Sequence, residues 1–194
     1  MKRKIACIQM DIAYGDPEKN FNTAEKWIEK AAAYGCDLAV PPEQWTTGYD
    51  LTRLDELEKG YAVHAIKFLS RCASNYQMDL VGGSTVHLSD GKYYNTLLIA
   101  EKDGKCSMPY SKIHLFQLMD EHRYFAPGAS DGLFTLGGGT FAGVICYDIR
   151  FPEWVRKIAL RGAKTLFVPA EWPLTRLDHW RTLCMARAIE NQFL

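Results

Sequence analysis

The sequence predicts an α/β fold in which a mixed sheet, doubled into two stacked layers, lies between layers of helices. Three observations predict it. Strand-like apolar runs alternate with segments of helical period along the chain. Hairpin signals at Asp90-Gly91 and at 137–139 interrupt that alternation, so the strands cannot all be parallel. Several runs carry apolar residues on both faces, as strands covered on each side do.

The elements follow in order. Residues 4–11 read as a buried strand, and 14–17 as a turn. Asn20 is well placed to cap a helix that runs to about residue 34, with Phe21, Ala24, Ile28 and Ala31 on one stripe and Gly35 as its stop. Residues 38–40 form a short strand that ends at Pro41-Pro42-Glu43, and 46–49 are loop. A second helix is expected over 63–76, with Ile66, Leu69, Cys72 and Tyr76 on one side. Strands over 80–86 and 93–100 pair as a hairpin. After a turn at 102–104, a strand over 106–110 continues into 111–116. The stretch 117–131 is polar and irregular, of a length that usually serves function or is disordered, and it holds Glu121. Strands over 133–136 and 140–145 make the next hairpin. Cys146 follows, and Pro152 then opens a helix to about residue 161. A strand over 165–168 and a helix from Asp178, read as its cap, through Asn191 complete the chain. Residues 37–45 and 164–172 echo each other as strand, Pro, Glu, Trp. A pseudo-twofold repeat and chance explain the echo equally well.

At 194 residues the chain is one domain with a full core. Formal net charge is zero, which gives no electrostatic reason to expect nucleic acid or an anionic membrane as partner. No apolar run approaches the ~20 residues of a membrane span. The basic tip at 2–4 precedes a run broken by Gln9 and Asp11, so it reads as a first strand and not a signal peptide. Six cysteines are scattered with no C-x-x-C pair, the pattern of free thiols in a reducing cytosol and not of a disulfide or zinc framework.

Cys146 stands at a strand end, just before a helix, where a tight bend presents the sulfur and free N–H groups beyond it can receive negative charge. The alternative is a buried structural cysteine. A thiol with a pKa near ~8.5 needs a base or a cation to react at neutral pH. Glu43, stiffened by two prolines, suits the base, although a solvated glutamate looks the same. Lys112 emerges from a strand among apolar and aromatic residues and needs a counter-charge. Its alternative is an edge lysine that discourages aggregation.

Pro42-Glu43, YSKIHLF over 110–116 and GVICYDIRFPE over 143–153 resemble, in order and spacing, the three signature blocks of the nitrilase superfamily of carbon–nitrogen hydrolases. The resemblance implies that family's α-β-β-α sandwich. It implies a Glu-Lys-Cys triad at Glu43, Lys112 and Cys146, with Glu121 as the supporting glutamate. EQWTTGYD over 43–50, LFQLMDEH over 115–122 and AEWP over 170–173 are similar to the omega-amidase branch, most of all to bacterial 2-oxoglutaramate amidases of methionine salvage. The implied reaction is hydrolysis of a small primary amide through a cysteine thioester, with Lys112 and the Tyr147 N–H holding the oxyanion. Tyr49 and Arg150 are candidates for a substrate carboxylate, and Trp172 for a pocket wall. Arg150 could instead pair with Asp148 or Glu153, and the two aromatics could be core. No cofactor or metal is implied. The implied partner is a small-molecule amide in the cytoplasm, with a homodimer or higher homo-oligomer of the full-length protein. Family members continue some tens of residues beyond Gln192, so the domain is expected to be C-terminally incomplete, without the last strands.

Other readings stay open at this stage. They are another amidase or N-carbamoyl hydrolase of the same superfamily, a cysteine hydrolase using His114, His122 or His179, and a catalytically silent or truncated interaction module. A zinc deaminase lacks its H-x-E and P-C-x-x-C signature.

Overall fold

Five strands form one sheet and three form another. The computed structural model describes residues 3–193 and, for 58–62, the backbone only. Met1 and Lys2, at the start of the basic tip, lie outside the described residues. In the larger sheet β1 (Ile5–Cys7), β2 (Leu38–Val40), β3 (Asp79–Ser89), β4 (Lys92–Ala100) and β5 (Cys106–Ser111) lie side by side in that order. The first three are parallel and the last three antiparallel. The smaller sheet holds β6 (Leu133–Leu136), β7 (Gly139–Gly143) and β8 (Leu166–Phe167), antiparallel then parallel.

Helices α1 (Pro17–Ala33) and α2 (Leu54–Tyr76) cover one face of the larger sheet, packing Phe21, Ala24, Ile28 and Leu69 against Leu80 and Leu98. Its other face meets the smaller sheet: Leu38, Val81, Leu97 and Ile99 share a cluster with Phe134, Leu136 and Ala142. Val155 and Ile158 of α4 (Pro152–Leu160) join that cluster from beyond, and α5 (Leu177–Asn191) lies against α4. The layers run α-β-β-α. A further α-helix, α3 (Glu121–Tyr124), is a single turn inside the irregular stretch.

Local chemistry sets the element ends. Gly35 (φ +67°) closes α1 with the paired bonds Gly35 N–H to Ala32 O and Cys36 N–H to Ala31 O, the Schellman pattern. Asp90 and Gly91 both take positive φ, as a two-residue type I′ hairpin requires. Several boundaries differ from the sequence expectation, among them β5, which ends at Ser111 and does not run on to residue 116. Asp16, not Asn20, caps α1, because Pro17 supplies the first helical residue. Asn20 is buried one turn in and bonds both to Ala13 and to Thr46 O, which pins the loop after β2. Helix α2 begins nine residues early: Leu51, Leu54 and Leu57 bury one side of the lead-in, while Gly60 hides the pattern. Asp178 lies in the first turn of α5 and not at its cap, since the 3₁₀ turn Leu174–Arg176 runs straight into the helix. β1 is also shorter than expected, at three residues.

Candidate active site

Glu43 owes its position to a breach in β3. The ladder between β3 and β4 slips between Val81 and Ser84, and Gly83 takes φ +64°. A side chain there would stand 2.1 Å from Pro42 O, so glycine lets the 41–45 segment lie directly on the strand. Ser84 N–H bonds Pro42 O, Gln44 N–H bonds the Ser84 hydroxyl, and the Trp45 indole N–H bonds Gly82 O at 2.9 Å. Glu43 is thereby held inside, with no exposed surface.

Lys112 follows the end of β5, and its Nζ lies 2.9 Å from Glu43 Oε1 and 2.6 Å from Glu121 Oε1. All three side chains are fully buried. Asn95 of β4 donates to Glu43 Oε1 at 2.9 Å, and Glu171 N–H donates to Glu43 Oε2 at 3.1 Å. Glu121 Oε2 takes Phe116 N–H at 2.7 Å, and Tyr49 OH donates to Oε1 at 2.8 Å. Burial works against the charge of Lys112. Glu43, Cys146 and Glu121 outweigh it, so its pKa is raised and it stays an ammonium. Burial raises the Glu121 carboxyl, and Lys112 offsets part of that.

Cys146 follows β7 at φ +45°, a left-handed backbone that a side chain adopts at a cost. Two anchors hold it. Its own N–H bonds Pro169 O at 2.9 Å, beyond β8. Asp148, fully buried, accepts from Ile145 N–H (3.0 Å), Tyr110 OH (2.7 Å) and His114 N–H (2.8 Å), with His114 Nδ1 2.7 Å away. Glu43, Lys112 and Glu121 are the charges that act on the thiol. Burial first, and then the Glu43 charge, push its pKa well up, and Lys112 only partly opposes them. The resting sulfur is a thiol, and the carboxylate beside it can take its proton. The 3₁₀ turn Cys146–Arg150 starts here, one turn before the expected helix, and among the described residues Tyr147 N–H donates to nothing.

Lys112, Cys146 and Glu171 border a narrow recess with a cavity volume of about 10 Å³, whose wall includes Tyr49, Phe116, Tyr147, Arg150, Trp172 and Arg176. Arg150 sits over the rings of Trp172 (4.9 Å) and Tyr147 (5.6 Å), and Arg176 over Phe116 (5.7 Å). The alternative pairing of Arg150 with Asp148 or Glu153 is not formed, because Asp148 is taken up by Tyr110, Ile145 and His114. Tyr49 reaches the site, but its hydroxyl lies between carboxylates, where burial and then Glu43 raise its pKa, so a substrate anion is disfavoured there. No interaction among the described residues joins a histidine to Cys146: His114 is stacked on Phe151 and His179 lies against Arg150. Asn95, Asp148, Glu171 and Arg176 also belong to the site, beyond the residues that the motifs single out. Asparagine inside an apolar strand was a signal for Asn95, and the repeated strand end for Glu171. Arg176 had none.

Residues 4–193 match the family profile described as carbon-nitrogen hydrolase. The chain belongs to the carbon–nitrogen hydrolase family. The hydrolase is 50% identical over 192 residues to the 2-oxoglutaramate amidase of Bacillus subtilis, covering 99% of this chain and 74% of that protein. It is 31% identical to the omega-amidase NIT3 of Saccharomyces cerevisiae, over 98% of this chain and 71% of that one. The crystal structure of yeast Nit3, a member of branch 10 of the nitrilase superfamily, superposes with a TM-score of 0.87 at 30% identity, covering 98% and 73% of the two chains. A glutamine-for-glutamate mutant of the amidase from Nesterenkonia sp. AN1, with acrylamide added to its active-site cysteine, also gives 0.87 at 26% identity, over 99% and 76%. The hydrolase thus has the nitrilase-type mixed α/β fold. No helix among the described residues is long and apolar enough to cross a membrane, and no cluster of three metal-binding side chains occurs among them.

Proposed function

We propose that the enzyme hydrolyses the carboxamide of a small dicarboxylic monoamide, 2-oxoglutaramate above others, through a thioester on Cys146. One observation carries the reading: a buried thiol, carboxylate and ammonium meet beside a recess that also holds two arginines. Among the described residues neither Arg150 nor Arg176 has an ion-pair partner, which leaves both open to a substrate carboxylate. The 50% identity to a 2-oxoglutaramate amidase supports the same substrate.

In this mechanism Glu43 takes the Cys146 proton as the sulfur attacks the amide carbon. Lys112 and the Tyr147 N–H receive the oxyanion. The C–N bond breaks as Glu43 returns the proton to nitrogen, and ammonia leaves a thioester behind. Water, deprotonated by Glu43, releases the acid and restores the thiol. Glu121 fixes Lys112, whose Nζ lies 2.6 Å from its Oε1.

Ammonia release from 2-oxoglutaramate, 2-oxosuccinamate, glutamine and a nitrile tests the reading. The first should give the highest kcat/KM, and Cys146→Ala should lose about 10³-fold or more. A nitrile or glutamine preferred over both oxo-amides overturns the substrate; substantial turnover by the variant overturns the mechanism. The protein is proposed to be a homodimer or larger homo-oligomer, because Met185 and Ile189, one turn apart on α5, are exposed. Light scattering after gel filtration checks this. A cytoplasmic place in methionine salvage goes with the substrate, and accumulation of 2-oxoglutaramate in a deletion strain tests it.

A further inference from the structure

Around Cys146, each carboxylate oxygen of Glu43 and Glu121 has a hydrogen-bond donor, and the Glu171 carboxylate differs. Glu43 Oε1 receives Asn95 and Lys112, and its Oε2 receives Glu171 N–H. Glu121 Oε1 receives Lys112 and Tyr49, and its Oε2 receives Phe116 N–H. Glu171 Oε2 is buried and has no partner among the described residues. A buried acceptor without a donor is costly, and of the six such polar atoms among the described residues this one is the one that lines the recess. It shares that recess with Cys146 and Lys112. Its main chain is tied to Glu43, the group that must protonate the leaving nitrogen. Neither arginine of the recess pairs with it, and the charge that acts on it is that of Glu43. Its place is therefore beside the scissile bond and not with the substrate carboxylate.

We infer that Glu171 accepts an N–H of the scissile carboxamide and so turns the leaving nitrogen toward Glu43. A primary amide offers two N–H donors, and an acceptor here selects it over an ester of the same acid, which offers none. The bond changes stay those of the hydrolysis: S–C forms, C–N breaks, and the proton passes from sulfur to Glu43 to nitrogen. Glu171 exchanges no proton, and it keeps its hydrogen bond until ammonia departs. The inference rests on the amidase reading and adds a residue to it.

The test compares 2-oxoglutaramate with the methyl ester at the same carbonyl, using wild type, Glu171→Ala and the isosteric Glu171→Gln. For the amide at pH 8, where the carboxylate is ionised, kcat/KM should fall about 10- to 100-fold in Glu171→Ala, the loss of one hydrogen bond to a charged group, and less in Glu171→Gln, whose amide oxygen still accepts. For the ester, both variants should stay within about twofold of wild type, since no N–H is there to lose. An equal fall on both substrates, or no fall on either, overturns the inference while leaving the amidase reading intact. Should Glu171→Ala not fold, the amide-to-ester ratio of Glu171→Gln decides alone. A wild-type protein inert toward every amide ends the amidase reading and this inference together.

Discussion

Glu171 carries a stability cost that its role in the site would explain. Burial, and then the Glu43 charge, push its carboxyl up to about 7 from 4.5. Between those values the folded protein keeps a proton that the unfolded chain has already lost. Stability from this group therefore falls as pH rises through the window, and the cost is complete above 7. The gap is worth about 3 kcal/mol. Glu171→Gln should accordingly be more stable than wild type by roughly 1–3 kcal/mol at pH 8, with the gain shrinking toward pH 4.5. Urea denaturation at several pH values checks it, and a variant less stable at pH 8 speaks against the burial argument. Asp148 is the opposite case. It holds the backbone on either side of Cys146 through four contacts, and asparagine can accept on only one oxygen. Asp148→Asn should cost about 2–4 kcal/mol and slow acylation at least tenfold, because the strained φ at Cys146 loses its anchor. Stopped-flow acylation and thermal melting read the two effects separately.

At the scale of elements, the bulge in β3 connects fold to chemistry. Gly83→Ala would put a methyl group against Pro42 O and force a left-handed residue without glycine. We expect a loss of about 2–4 kcal/mol and a fall in kcat larger than any change in KM, because Glu43 moves while the recess wall stays. Steady-state kinetics on 2-oxoglutaramate separates these from a loss of substrate binding. The sequence held much of this scale. Period and turn chemistry placed β2 residue for residue and both hairpins within a few residues. The prolines before Glu43 and the break after Ile145 marked two site-bearing ends. Pattern failed where tertiary contact decides. Asn20 looks like a cap by type, yet Pro17 starts the helix earlier and burial turns the asparagine to Ala13 and Thr46. Arg176 is one basic residue among many until α5 folds back and brings it over Phe116. Tyr49 and Glu121 lie 72 positions apart, and no local rule predicts that the hydroxyl of one serves the other.

The whole molecule places its chemistry on the seam between two sheets. Glu43, Asn95 and Lys112 come from strands or strand ends of the larger sheet, and Cys146 follows β7 of the smaller. The sheets touch tightly three residues before the sulfur, where a side chain on Gly143 would meet Leu97 at 2.2 Å. The spacing of the layers therefore sets the distance between base and nucleophile. Ile28 is as deeply buried as Leu97 but belongs to the outer layer, where α1 covers the far face. Leu97→Ala and Ile28→Ala should each destabilise by about 2–5 kcal/mol, the usual result of emptying a fully packed site. Their effects on catalysis should differ. At a temperature where both variants are folded, Ile28→Ala should keep a wild-type kcat/KM on 2-oxoglutaramate. Leu97→Ala should lose tenfold or more, since a misplacement of about 1 Å between reacting groups can cost about 10²-fold. Equal activity in the two variants, at matched loss of stability, would mean that the seam holds the fold together without setting the geometry of the site.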